Sequence, residues 1–165
     1  MSDALQFTDL SKVFPTLETK PKPIPMENTG GHKARILLGD SDPVFALAIF
    51  PSLVREGYEV VVTESGPDAI SELRKADHPP VAILDSTLAG MDGLQICERM
   101  RDAEKNLYII LISRTPATED VVRGLEAGAD LFVSKSIPPE ELLAYVKVGL
   151  RVVHRKRAPS PHPEE

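Results

Sequence analysis

The sequence predicts a single α/β domain built on a five-stranded parallel sheet with helices on both faces. Two observations predict it. Five short apolar runs, Ile36-Leu37-Leu38, Val60-Val61-Val62, Val81-Ala82-Ile83-Leu84, Ile109-Ile110-Leu111-Ile112 and Leu131-Phe132-Val133, are separated by longer amphipathic stretches. That is the pattern of strands joined by crossover helices. The runs are also continuously apolar rather than alternating, so each strand is covered above and below, and the intervening segments supply the covering helices.

Boundary residues agree with this reading. Pro43 suits the first turn of a first helix, Ser65-Gly66-Pro67-Asp68 forms a cap followed by an acid, and Glu140-Glu141 follow Pro138-Pro139 at the start of the last helix. Gly57 and Gly128 fall where helices should end. Pro51 is discordant: it sits inside the apolar run from Val44 to Val54 and lacks a backbone donor, so a kinked or broken first helix is expected.

At 165 residues with 42% hydrophobic content, the chain suits one well-packed core with tails. Prolines 15, 21, 23 and 25 before Gly30-Gly31, and prolines 159, 161 and 163 at the other end, mark the limits. Residues 1–33 read as a disordered extension, 34–153 as the domain and 154–165 as a basic, then proline-rich, tail. Leu10, Val13, Phe14 and Leu17 have helical spacing interrupted by Pro15, and read either as sticky disorder or as a docking segment.

No apolar run approaches the roughly 20 residues that a bilayer crossing needs, and the start lacks a basic segment followed by an apolar one. A cytoplasmic protein without membrane contact is the expectation. The single cysteine, Cys97, rules out an intrachain disulfide or a cysteine zinc site and reads as a small buried hydrophobe. Residues 34–150 carry 19 acids against 11 bases, a balance of −8, which repels nucleic acid. The run Arg151 with Arg155-Lys156-Arg157 reads as a helix terminus complementing the dipole, so no DNA contact is expected.

In open parallel sheets ligands bind beyond the carboxyl ends of the strands, where strand order reverses. The polar residues at those ends are Asp40-Ser41-Asp42 after the first run, Asp85 after the third, Ser113 after the fourth and Lys135 after the fifth. Carboxylate, hydroxyl and ammonium thus converge on one crevice. Asp40 or Asp42 is a candidate cap for the first helix, whereas Asp85 is followed by a loop whose next helix has its own cap candidate in Asp92, leaving Asp85 free.

Asp85-x-x-Leu88-x-Gly90-Met91-Asp92-Gly93 resembles the phosphorylation loop of two-component response-regulator receiver domains. Gly124-Leu125-Glu126-Ala127-Gly128-Ala129-Asp130, with Phe132 and Lys135, resembles that family's segment from fourth helix to fifth strand, and the likeness covers about residues 34–150. The resemblance implies a flavodoxin-like sheet with strand order 2-1-3-4-5. It also implies that Asp85 accepts a phosphoryl group and that Mg²⁺ is held by Asp40, Asp85 and the backbone carbonyl of Thr87. Ser113 becomes the switch hydroxyl, Lys135 the phosphate partner and Phe132 the switch aromatic. Partners would be a histidine kinase or phosphotransfer protein and a downstream effector protein, with self-association a further expectation. The role is signalling, not enzymatic turnover. Only eight residues follow Arg157, so no output domain is expected in this chain.

Four positions depart from the family's pattern. Ser41 replaces the second acid of a pair, which predicts a weakened Mg²⁺ site in which waters and Asp40 and Asp85 supply the oxygens. Arg114 stands where a small residue is usual, and reads as a screen, as a substitute positive charge or as an outward-facing side chain. Ser136 replaces a proline usually joined by a cis bond. A non-proline cis bond costs about 2.5–4 kcal/mol, so a trans bond is predicted. Ala89 also replaces a proline, which predicts a looser loop.

Two rival readings remain at this stage. One is a pseudo-receiver that acts as a phosphorylation-independent interaction module. The other is a haloacid-dehalogenase-type phosphatase, which the Asp40-Ser41-Asp42 triplet resembles, with Asp40 as nucleophile and Asp42 as acid. Against the latter, Pro43-Val44 replace that family's Gly-Thr.

Overall fold

The structure is a computed structural model that describes residues 33–103 and 106–158. The expected extension before residue 33, including the Leu10 to Leu17 segment, and the proline-rich end from residue 159 lie outside the described residues.

All five apolar runs form strands: β1 (Arg35–Gly39), β2 (Glu59–Thr63), β3 (Val81–Asp85), β4 (Tyr108–Ser113) and β5 (Leu131–Ser134). They form one parallel sheet in the order β2-β1-β3-β4-β5, as the resemblance implied. Between them lie α1 (Pro43–Arg55), α2 (Gly66–Leu73), α3 (Gly93–Ala103) and α4 (Thr118–Glu126), and α5 (Pro139–Arg157) closes the domain.

Two-sided coverage of the sheet is visible residue by residue. Successive side chains of a strand point to opposite faces. Ile36, Leu38, Ile83, Ile110 and Ile112 therefore pack with Phe45, Ile49, Leu53, Leu142 and Val146 of α1 and α5. Their neighbours Leu37, Ala82, Leu84, Ile109 and Leu111 pack with Ile70, Leu73, Ile96, Cys97 and Met100 of α2 and α3. β3 is buried along its whole length. Cys97 is fully buried, and desolvation pushes its thiol pKa up to about 12, as suits a core hydrophobe.

The helix signals act through identifiable hydrogen bonds. Asp42 caps α1, its Oδ1 accepting the Val44 N–H at 3.0 Å. Ser65 caps α2 by accepting from the Asp68 N–H. Asp92 and Gln95 satisfy each other's backbone donors at the start of α3, with side-chain bonds of 2.9 and 3.2 Å. Two expectations need correction. α1 runs through Pro51 as one continuous helix, which overturns the broken alternative: buried Phe45, Ala46, Ile49 and Leu53 anchor it, so the core contacts outweigh one missing donor. α5 continues to Arg157, so the boundary expected at residue 153 falls inside a helix whose last turn carries His154, Arg155, Lys156 and Arg157, cations that favour the negative end of the dipole.

A node at Arg101, which no local sequence signal marks, ties α3 to β4 and the turn before β5. Its guanidinium donates to the carbonyls of Leu107 and Gly128 and to the Asp130 carboxylate, which also accepts the Ile109 N–H at 2.8 Å. Gly128, which ends α4 with φ +113°, leaves room for it: a Cβ there would stand 2.2 Å from Arg101 Cγ. Gly57 (φ +90°) follows α1 where a Cβ would meet only the Lys33 side chain, at an ordinary contact distance of 3.5 Å. Gly128→Ala should therefore cost about 1–3 kcal/mol through overpacking added to backbone strain, and Gly57→Ala should cost less because strain alone acts. Urea denaturation of the two variants measures the difference.

Candidate functional site

The carboxyl ends of β1, β3 and β5 bring three groups together. Asp85 closes β3, Asp40 follows β1 and Lys135 follows β5. Lys135 Nζ donates to Asp85 Oδ2 at 2.7 Å and to Asp40 Oδ1 at 3.0 Å. It stands 2.8 Å from Asp40 Oδ2 as well, but off hydrogen-bond direction, which leaves that buried oxygen without a directed donor. The ammonium lies 5.3 Å from the centre of the Phe45 ring, whose face favours a desolvated cation.

The second oxygen of Asp85 is fixed locally. Oδ1 accepts from the Thr87 N–H at 2.8 Å and from the Thr87 hydroxyl at 2.9 Å, an arrangement that the tight turn after β3 enforces. Ser113 lies at the end of β4 on the strand beside β3, one residue past Ile112, which pairs with Asp85. Its carbonyl accepts the Lys135 N–H at 2.7 Å, extending the ladder toward the crevice. Phe132 is buried away from these groups, on the face of the sheet beneath α4, where a Cβ on Gly124 would stand 2.4 Å from its ring.

The environments of the two carboxylates push their pKa values apart. Burial pushes Asp40 up, and with the Asp85 charge adding to it the value reaches about 6 despite the hydrogen bonds from Lys135 and the Asp42 N–H. Burial opposes ionisation of Asp85 too, but Lys135 and the two donors of Thr87 outweigh it, and its pKa lies below the usual carboxylate value. Lys135 is itself desolvated, yet its bonds to Asp40 and Asp85 hold its pKa above the ordinary lysine value. Asp85 is thus the carboxylate that ionises more readily, and ionisation is what a nucleophile requires.

The departures at residues 41, 89, 114 and 136 also take definite places. Ser41 Oγ donates to the Glu64 carbonyl at 2.9 Å and accepts from the Ala89 N–H at 3.4 Å. The Ala89 carbonyl accepts the Gly66 N–H at 2.8 Å, so Ala89 is hydrogen-bonded on both sides. Arg114 donates to Asp42 Oδ2 at 2.6 Å although its side chain is 72% exposed. All described peptide bonds are trans, including 135–136. The turn there is closed by serines, with the Ser136 N–H donating to Ser134 Oγ at 3.2 Å.

Hard oxygen donors that suit Mg²⁺ are present here in the undirected Asp40 Oδ2 and in Asp85. Among the described residues no three acidic, histidine or cysteine side chains are arranged to enclose a metal, so the set fits a cation that keeps much of its water. Asp42, the nearest further carboxylate, is occupied in capping α1 and pairing with Arg114.

Residues 36–147 match the response regulator receiver domain model. The chain belongs to that family. The DNA-binding response regulator MtrA of Mycolicibacterium smegmatis is 37% identical over 119 residues, 72% of this chain and 51% of that protein. The transcriptional regulatory protein CseB of Streptomyces coelicolor is 36% identical, over 72% of this chain and 50% of its own length. The chain therefore spans about half the length of the curated relatives it matches. Among solved structures, the BeF3-activated N-terminal receiver domain of Klebsiella pneumoniae RstA superposes with a TM-score of 0.65 at 30% identity, covering 71% of this chain and 98% of that one. The signal receiver domain of NarL from Mycobacterium tuberculosis gives 0.66 at 29% identity, covering 75% and 98%.

Receiver domains are phosphorylation-based signalling modules of two-component systems, and the acidic crevice is where they bind Mg²⁺. Among the described residues no helix is long and apolar enough to cross a membrane. The phosphatase-like reading of Asp40-Ser41-Asp42 does not hold: Asp40 is fully buried under Lys135, and both oxygens of Asp42 are engaged by Val44 and Arg114.

A pH dependence follows from Asp40. Its folded pKa, about 6, lies above the ordinary 3.8, so between those values the folded state holds the extra proton and stability falls as pH rises. Asp40→Asn should remove that loss and raise the melting midpoint at pH 7 by roughly a few degrees. Thermal melts of both proteins from pH 4 to 7 check it.

Proposed function

We propose that this receiver takes a phosphoryl group onto Asp85 from a histidine kinase or phosphotransfer protein and passes the signal on through protein contacts. The observation that carries this reading is the state of Asp85. It is ionised, held at one oxygen by Thr87 and at the other by Lys135, at the end of the central strand. An oxygen of Asp85 attacks the phosphorus in line. The new P–O bond forms as the donor's P–N bond breaks, and the electron pair leaves on the imidazole nitrogen.

Asp40, Asp85 and the Thr87 carbonyl would hold Mg²⁺, which would supply charge neutralisation there. Lys135 stays with the product, and Ser113, at the adjacent strand end, receives a phosphoryl oxygen. The covalent group adds about −1.5 to −2 charges to a crevice that already holds two carboxylates, enough to draw Ser113 and the loop after β4 toward it. Phe132, now packed beneath α4, is the side chain through which that shift reaches the surface. A downstream effector protein, self-association, a cytoplasmic setting and the lack of DNA contact belong to the same reading.

Incubation with a small phosphodonor and Mg²⁺ should give a labile phosphoryl adduct by intact mass that Asp85→Ala abolishes. No adduct with any donor or kinase would leave a phosphorylation-independent interaction module instead.

Ser41 supplies no carboxylate, so Mg²⁺ should bind weakly. Ser41→Asp should tighten binding by about tenfold, the effect of one added ligand charge, while lowering the melting midpoint because the bond to the Glu64 carbonyl is lost. Mg²⁺ titration by calorimetry with a parallel thermal melt reads both changes.

A further inference from the structure

Arg114 follows β4 and Asp42 follows β1, and the strand lying between β1 and β4 in the sheet is β3, which ends in Asp85. The Arg114–Asp42 contact therefore crosses the mouth of the crevice above Asp85. Two cations serve the crevice at different depths. Lys135 is buried, at 8% side-chain exposure, and already bonded to two carboxylates, whereas Arg114 is 72% exposed and bonded to one. The charge of Asp85 reaches Arg114: the Asp42 bond, followed by the charges of Asp42, Asp40 and Asp85, raises its pKa.

We propose that Arg114 is a second cationic ligand for the phosphoryl group on Asp85, parked on Asp42 until that group arrives. This rests on the reading of Asp85 as the phosphoacceptor. An exposed ion pair contributes little to stability and opens readily. A phosphoryl group offers more charge than one carboxylate and three acceptor oxygens that match the guanidinium fork, so the guanidinium exchanges Asp42 for the phosphoryl oxygens. The exchange supplies positive charge where Ser41 withholds a metal ligand. It also frees Asp42 Oδ2 while Oδ1 still caps α1.

The test uses beryllofluoride, a phosphoryl mimic on carboxylates, with Mg²⁺, and reads its equilibrium affinity by fluorine NMR. Arg114→Ala should weaken binding by about tenfold, the loss of a charge-assisted contact, with an unchanged melting midpoint because the side chain is exposed. Arg114→Lys should fall between, keeping the charge and losing the fork. Asp42→Asn, which retains a helix cap, should tighten binding. It should do so more in the wild type than in the Arg114→Ala background, where only the loss of a nearby negative charge remains.

If Arg114 were only a steric lid, Arg114→Ala would speed binding and release without weakening affinity, and that result overturns the proposal. Binding that needs Asp85 but is indifferent to Arg114→Ala also overturns it and leaves the phosphoacceptor reading intact. Binding that survives Asp85→Ala, or no binding to the wild type at all, overturns the phosphoacceptor reading and this inference with it.

Discussion

One buried ammonium shared by two carboxylates sets the terms for the rest of the crevice. Asp40 and Asp85 stand at the ends of neighbouring strands and cannot both be ionised in that volume without a cation. Lys135 supplies it from β5, two strands away from β3, and its long stem crosses the end of β4 to reach both. The balance is still one negative charge too many. Asp40 bears the mismatch as a pKa raised to about 6, while Asp85 stays below the usual carboxylate value. An unsatisfied negative charge also gives a hard cation a reason to enter, so the imbalance that costs stability is the one that makes the site usable.

Much of this was legible because the relevant signals are local. Two-sided burial of a parallel strand leaves a continuous apolar run, and each of the five runs became a strand. Residue type at the strand ends singled out Asp40, Asp85, Ser113 and Lys135, of which Asp40, Asp85 and Lys135 are in direct contact, since strand order and chain order together place those ends on one edge. Helix caps were legible for the same reason: Asp42, Ser65 and Asp92 each act on residues two or three positions ahead.

What escaped the sequence depends on pairs far apart in the chain. Arg101 with Gly128 and Asp130, and Arg114 with Asp42, are separated by 27, 29 and 72 positions, and no periodicity links them. The first pairing needs the end of α3 to meet the loop before β5. The second needs the strand order as well as the direction of an exposed side chain. Pro51 misled for the opposite reason: its local penalty is real, but four buried neighbours on α1 outweigh it.

The loop after Asp85 shows how two departures combine. A proline at residue 89 would stiffen the chain through its ring, but it would have no N–H. Alanine has one, and Ser41, with no carboxylate to offer a metal, uses its hydroxyl to receive it while gripping the Glu64 carbonyl. Stiffness built into covalent geometry has been exchanged for stiffness built from hydrogen bonds to the loop before α2. A ring constraint is permanent, whereas a tether of this kind can be let go and remade. The segment carrying Thr87 thus has a rigidity that depends on the state of its neighbours.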